Sequence, residues 1–126
     1  MEAVYLDTHV VAWLYSGDLS RFSEKTIELM EGSTLYYSSI VKLELKYLQE
    51  IGRLRVSPEA ILGDLQSEIG LELKDSAIQQ LIYEANKLSW TRDPFDRLIT
   101  AQASVLHLPL VTKDKTIHLH YTQAVW

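Results

Sequence analysis

The chain has 126 residues, of which 47% are hydrophobic and 23% charged, as in one soluble globular domain. No apolar run is long enough to span a membrane, and the chain begins directly with a short strand-like segment, which argues against a cleavable signal peptide. The formal net charge of −5 argues against broad, nonspecific binding to nucleic acid, and the absence of cysteine excludes disulfides and thiolate zinc sites.

Short apolar segments alternate along the chain with amphipathic ones. Strands are predicted over residues 3–6, 35–38, 71–73, 110–112 and 124–126. Helices are predicted over residues 24–31, 39–51, 58–69 and 78–88, with another opening near residue 94. Ser23 and Ser57 are favoured N-caps, Pro58 suits a first helical position, and Gly32 and Gly70 suit helix ends. The alternation predicts an α/β fold, a three-layer α/β/α domain over residues 1–126 with a mostly parallel central sheet.

An acid interrupts the apolar face of the helix predicted over residues 39–51. At about 100° per residue, one face of this helix carries six residues: Ile40, Leu43, Glu44, Tyr47, Leu48 and Ile51. The apolar stripe over residues 78–88 contains no acid. Burying an unpaired carboxylate costs on the order of several kcal/mol. Glu44 therefore either lies at the edge of the face, pairs with a basic side chain, or belongs to a site.

Three aspartates accompany Glu44 at points where strands give way to helices. Asp7 follows the first strand and could equally be a helix N-cap, and Asp114 follows a later strand and could be a turn residue. Asp93 is well explained as an N-cap, which leaves Asp96 only partly explained by capping. Because clustered carboxylates repel one another, four acids at one end of the sheet predict a site for a divalent cation such as Mg²⁺ or Mn²⁺.

At these residues the chain resembles the PIN-domain family, and within it the VapC-like toxins of type II toxin–antitoxin systems. The matching segments are LDTH at 6–9, SIVKLEL at 39–45, DPFDRLITAQA at 93–103 and LVTKD at 110–114. They keep the family's order over essentially the whole chain, and the third segment is the most specific. The resemblance implies a PIN-like fold and the activity of a metal-dependent endoribonuclease.

The resemblance also implies which residues form the site. The catalytic and metal-binding acids carried over are Asp7, Glu44, Asp96 and Asp114, with Asp7 and Asp96 as the expected direct ligands of one or two Mg²⁺ or Mn²⁺ ions. Thr112 matches a supporting hydroxyl position, and Asp93 matches a frequent acid for which capping remains the favoured role. Four basic residues flank the acids and could bind RNA phosphates or simply be solvated: Arg92, Arg97, Lys113 and Lys115.

The implied partners are an RNA substrate, a cognate antitoxin protein and a second copy of the chain, with no membrane, in a cytoplasmic setting. A catalytically silent PIN-like interaction module stays open as an alternative. A receiver-like signalling domain is less favoured, because Asp7 lacks the adjacent acid that such domains carry after the first strand. A zinc site is not favoured, since His118 and His120, predicted on one face of a strand, are far in sequence from the other histidines.

Overall fold

Residues 2–126 are described by a computed structural model, in which helices flank a five-stranded sheet. The strands are β1 (Ala3–Leu6), β2 (Thr34–Tyr37), β3 (Glu72–Leu73), β4 (Leu110–Val111) and β5 (Ala124–Val125). The helices are α1 (Thr8–Ser16), α2 (Glu24–Glu31), α3 (Ser39–Glu50), α4 (Pro58–Ile69), α5 (Ile78–Ala85), α6 (Pro94–Val105) and α7 (Lys115–His120), with a 3₁₀ helix at Leu19–Arg21. The α/β prediction is confirmed.

The sheet is parallel throughout, with strand order β3-β2-β1-β4-β5. β1 is the central strand, where Val4 pairs with Leu35 of β2 and Tyr5 pairs with Leu110 of β4. A central strand is covered on both faces, which explains why the first strand-like segment is wholly apolar. The chain proceeds from β1 to β2 and β3 on one side and then continues on the other side with β4. In such sheets, ligands bind beyond the carboxyl ends of the strands at this point of reversal.

Local sequence signals account for most helix boundaries. The Ser23 hydroxyl accepts a hydrogen bond from the Thr26 backbone N–H at 3.1 Å, and α2 begins directly after Ser23, at Glu24. Ser57 caps α4 in the same way. Gly70 ends α4 with a φ of +73°, a conformation that glycine adopts without steric cost. These N-cap and glycine predictions are confirmed.

Two features of the fold differ from the predictions. Residues 115–120 form α7 instead of a strand, so the prediction that His118 and His120 share the face of a strand is wrong. The Asp114 carboxylate caps this helix by accepting a hydrogen bond from the Ile117 backbone N–H. The His118 ring nitrogen lies 2.6 Å from the Thr112 carbonyl oxygen, which ties the helix to the end of β4. The predicted stripe on α5 is only partly buried, because Leu81 is covered whereas Ile78 is 65% exposed.

The main hydrophobic core lies on both faces of β1. Val4 and Leu6 from the strand pack with Val11 of α1, Leu45 of α3 and Leu65 of α4. A smaller cluster between α5 and α6 contains Leu81, Ala85 and Ala101. Among residues 2–126, no helix is long and apolar enough to cross a membrane.

Candidate active site

The four predicted acids line one cavity of about 400 Å³ at the carboxyl ends of the strands. Asp7 follows β1, Asp114 follows β4, Glu44 lies in α3 and Asp96 lies in the first turn of α6. The cavity is completed by five other residues: His9, Val10, Trp13, Asp93 and Lys113. Four segments that are far apart in the sequence are thus brought to the point where the sheet order reverses.

Asp7 is the most deeply buried of these acids, with 7% of its surface exposed. Its backbone N–H donates to the Val111 carbonyl, which ties the end of β1 to β4. Its carboxylate accepts hydrogen bonds from the Thr8 backbone N–H at 2.7 Å and from the Thr112 hydroxyl at 2.6 Å. Burial raises the pKa of Asp7, and these two hydrogen bonds oppose that rise. Asp7 is both the N-cap of α1 and a wall of the cavity, so the two sequence interpretations are compatible.

Thr112 links two of the acids. Its buried hydroxyl donates to Asp7 and accepts a hydrogen bond from the Asp114 backbone N–H at 3.1 Å. The Asp114 carboxylate in turn accepts from the Ile117 N–H at 2.9 Å and caps α7. The structure therefore places the Thr112 hydroxyl between the acids that follow β1 and β4.

Glu44 reaches the cavity from α3, although the helix buries only part of the face that the sequence predicts. The side chains that α3 buries are Val41, Leu45 and Leu48, whereas Leu43, Tyr47 and Ile51 of the predicted face are 57%, 47% and 47% exposed. The buried face is rotated because α3 packs against α1, α4 and α6. Glu44 is half-buried at the edge of that face. Burial raises the pKa of Glu44, and Asp7 adds to the rise.

Asp96 shows most directly that the carboxylates share one electrostatic environment. Burial is the largest cause that raises its pKa to about 7, and the charges of Asp93, Asp7, Asp114 and Glu44 act in the same direction. Asp93 caps α6 by accepting from the Phe95 and Asp96 backbone N–H groups at 2.9 and 3.1 Å. The capping role favoured for Asp93 is therefore present, although its side chain also lines the cavity.

The four predicted basic residues are placed differently from one another. Lys113 lines the acidic cavity, and its ammonium lies 5.6 Å from the centre of the Trp126 ring. Arg92 and Lys115 are exposed and do not line the cavity. Arg97 points away, because its guanidinium donates to the Ala85 carbonyl at 2.7 Å and approaches two further carbonyls between α5 and α6. Arg97 thus holds the connection between these helices, which differs from the predicted contact with RNA phosphate.

The chemistry of the cavity fits a hard divalent cation. Carboxylate oxygens are the ligands that Mg²⁺ and Mn²⁺ prefer, and a cation would offset the burial and the mutual repulsion that raise the pKa values of Asp7, Glu44 and Asp96. The Thr8 hydroxyl is buried beside Asp7, and within residues 2–126 no partner lies at full hydrogen-bonding geometry. It is close enough to Glu44 to favour the ionised form of that carboxyl group. In the described part of the chain, no three acidic or histidine side chains are already arranged closely enough to bind a metal ion together. Mg²⁺ usually keeps several waters and takes only one or two carboxylates directly, so the acids suit such a partly hydrated ion.

Sequence reasoning did not identify His9 and Trp13 as cavity residues. Both lie on α1, which begins at the buried Asp7, so the first two turns of that helix pass along the cavity. Their positions two and six residues after Asp7 are the signal that could have identified them, since residues near a helix start remain close to its cap.

Comparisons with known proteins agree with this architecture. The PIN domain family model matches residues 4–121. A chain of the VapBC2 complex of Rickettsia felis, bound to a DNA fragment from its promoter, is similar with a TM-score of 0.73 and 18% identity, over 98% of this chain and 97% of that one. A chain of DNA-bound VapBC from Salmonella typhimurium gives a TM-score of 0.66 and 21% identity, over 98% and 96%. A chain of VapBC-1 from nontypeable Haemophilus influenzae gives a TM-score of 0.59 and 15% identity, over 98% and 96%. No curated protein matches the sequence.

Proposed function

The chain belongs to the PIN domain family, and from this premise we propose that it is a metal-dependent endoribonuclease and the toxin of a toxin–antitoxin pair. The observation that carries the proposal is the convergence of Asp7, Glu44, Asp96 and Asp114 on one cavity. Capping explains Asp7 and Asp114 separately, but it does not explain why Glu44 and Asp96 line the same space with raised pKa values. A cluster of perturbed carboxyl groups in a cleft is typical of a catalytic site.

We assign the direct cation contacts to Asp7 and Asp96. Asp7 is held rigidly by the Thr112 hydroxyl and the Thr8 N–H, which leaves its carboxylate in a fixed orientation for binding. Glu44 and Asp114 would hold the ion directly or through water, and either could orient the water that attacks the phosphorus. One or two Mg²⁺ or Mn²⁺ ions, when bound, would activate that water and neutralise charge developing on the phosphoryl group.

The RNA substrate requires positive charge near the acids. Lys113 lines the cavity and can contact a phosphate beside the scissile bond. Arg92 and Lys115 are exposed close to the acids in sequence and remain candidates for more distant phosphates. Because the whole chain is acidic, RNA binding would depend on the bound cation and on these local basic groups more than on net charge.

We propose two protein partners, a cognate antitoxin and a second copy of the chain. The similar structures from Rickettsia felis, Salmonella typhimurium and Haemophilus influenzae are VapBC complexes, and two of them are bound to DNA. The chain also exposes large apolar side chains, among them Tyr83, which is 68% exposed, and Leu119, which is 78% exposed. Single exposed apolar residues are ordinary on protein surfaces, so the VapBC complexes carry this proposal. Light scattering of the isolated chain, alone and with the product of a neighbouring gene, would measure both associations.

The test of the proposed activity is cleavage of end-labelled RNA by purified protein with Mg²⁺ or Mn²⁺, and with EDTA. We expect the wild type to cleave only when the metal is present, and Asp7→Asn and Glu44→Gln to be inactive although folded. Glu68→Gln is the matched control, because Glu68 is an exposed glutamate on α4 that does not line the cavity. Unchanged turnover in Glu44→Gln would remove that residue from the site. Absence of cleavage by the wild type on diverse RNAs would favour a catalytically silent module instead.

A further inference from the structure

A second cavity of about 570 Å³ adjoins the acidic one. It lies between α1, the 3₁₀ helix and the C-terminal end of α3, and His9 and Trp13 line both cavities. Two cavities that share two side chains are adjacent parts of one surface region. The two parts differ in charge, because the first is lined by five acids and one lysine, whereas the second is lined by Arg21, Arg53 and a single acid, Asp18.

The two arginines differ in their contacts. Arg21 lies over the Trp13 ring, with its guanidinium carbon 5.2 Å from the ring centre, and it pairs with Asp18 at 3.4 Å. Arg53 is exposed, and within residues 2–126 its guanidinium makes no ion pair. Neither arginine is needed to balance the carboxylates of the acidic cavity, since neither lines it. Planar guanidinium groups on the wall of a cleft are suited to bind phosphate oxygens.

The shared aromatic residue provides the second element of a nucleotide site. Trp13 is half-buried, and its ring is fixed by edge contacts to Phe22 and Trp126 at 6.3 and 5.9 Å between ring centres. A fixed ring on the wall of a basic groove is the arrangement with which proteins bind single-stranded nucleic acid, because it contacts any base without selecting its sequence.

We propose that this second cavity, defined by Trp13, Arg21 and Arg53, binds the nucleotide next to the scissile phosphodiester of a single-stranded RNA. Arg53 and Arg21 contact its phosphate, and Trp13 packs against its base or sugar. The inference rests on the proposed function, because the acids fix where the scissile bond lies. An acidic segment of a protein partner could use the same arginines. RNA is favoured because His9 and Trp13 line both cavities, so a strand whose scissile phosphodiester lies at the acids has its next nucleotide beside the arginines.

The test compares Arg53→Glu with Arg55→Glu. Arg55 is also exposed and lies two residues away, but it does not line the cavity, so the two variants change charge equally in one connecting segment. Both variants are made in a Glu44→Gln background, in which the assigned direct cation ligands Asp7 and Asp96 remain and RNA is expected to bind without being cut. Binding of a short fluorescent single-stranded RNA of random sequence is measured by anisotropy over a range of salt concentrations, and thermal unfolding checks that each variant folds.

We expect Arg53→Glu to weaken RNA binding about tenfold or more, because it removes a charge-assisted hydrogen bond to phosphate, and Arg55→Glu to leave binding near that of the parent. The slope of log affinity against log salt should fall by about 0.7 for each phosphate of the single strand that the variant no longer neutralises. Equal binding by the two variants, or no RNA binding by the parent, would overturn the inference. If binding of a polyglutamate peptide required Arg53 and binding of RNA did not, that would also overturn the inference, in favour of a protein occupant.

Cleavage by the otherwise wild-type protein separates the inference from the proposed function. Metal-dependent cleavage that is equally fast in wild type and Arg53→Glu would contradict the nucleotide site and leave the ribonuclease assignment intact. A wild type that binds RNA through Arg53 but cleaves none with Mg²⁺ or Mn²⁺ would contradict the ribonuclease assignment and leave the second cavity as an RNA-binding site.

Discussion

Replacing Asp96 with asparagine should abolish cleavage and at the same time stabilise the metal-free protein. Burial and the charges of four neighbouring carboxylates raise the pKa of Asp96 to about 7 from an ordinary value of 3.8. At about 1.4 kcal/mol per pKa unit, ionised Asp96 destabilises the folded state by at most about 4 kcal/mol. Asp96 is half-exposed, so solvent screening reduces this to about 1–2 kcal/mol. Asparagine has a similar shape without the charge.

The pH dependence of this effect has a definite sign. An acid whose pKa is raised by folding leaves stability intact below its ordinary pKa and reduces it as pH rises towards the folded value. The stability difference between Asp96→Asn and wild type should therefore be small near pH 4 and grow until about pH 7. A difference of about 1–2 kcal/mol corresponds to a rise in Tm of roughly 4–8 °C for a chain of this size.

Thermal unfolding with EDTA, from about pH 5 to about pH 8, measures the effect. Asp64→Asn is the matched control, because Asp64 is an exposed aspartate on α4 outside the cavity. Added Mg²⁺ or Mn²⁺ should raise the Tm of the wild type by binding the folded state, and should raise that of Asp96→Asn much less. A variant that is no more stable than wild type at the higher pH, or that gains equally from metal, would refute the reasoning.

Three further predictions concern residues that support the site or the fold. Thr112→Val removes the hydroxyl that donates to Asp7, so it should lower the free energy of unfolding by about 2 kcal/mol and the cleavage rate at least tenfold. Thr112→Ser keeps the hydroxyl and should retain activity. A valine variant with wild-type activity would contradict this role. The Ser104 hydroxyl lowers the pKa of Glu84, so the ionised carboxylate stabilises the fold. Glu84→Gln should therefore reduce the free energy of unfolding at pH values above the ordinary glutamate pKa, and this reduction should disappear as pH falls. A reduction that is the same at every pH, measured by chemical denaturation, would contradict this. Arg97→Ala should destabilise the fold by about 1–3 kcal/mol, and a Tm equal to that of wild type would exclude its role in holding α5 to α6.

Local signals in the sequence are sufficient for much of the fold. The wholly apolar segment before Asp7 corresponds to the central strand, and Ser57, Pro58 and Gly70 mark the ends of α4 where the structure has them. These signals succeed because capping and φ preferences depend on only a few neighbouring residues. The four acids are identifiable for the opposite reason, since local structure leaves an acid such as Glu44 unexplained.

Features that depend on tertiary packing are not predictable from the sequence. On α3, Leu43 and Val41 are both apolar, and only packing against three other helices determines that Val41 is buried and Leu43 exposed. The six-residue helix α7 has too few apolar positions for a periodic signal, and its cap, Asp114, is equally typical of a turn. The proximity of Arg53 to Trp13 joins the end of α3 to α1, and no spacing in the sequence encodes it.

Binding of Mn²⁺ followed by electron paramagnetic resonance tests the central claim most directly, because it observes the ion at the acids without requiring the correct RNA. The comparison is between wild type and a variant in which Asp7, Glu44, Asp96 and Asp114 are all replaced by their amides. Asparagine is also a favoured N-cap, so α1 and α7 should still form in that variant. We predict that wild type binds one or two Mn²⁺ ions and that the folded variant binds none. Equal Mn²⁺ binding by the two proteins would contradict the claim that these acids form a cation site.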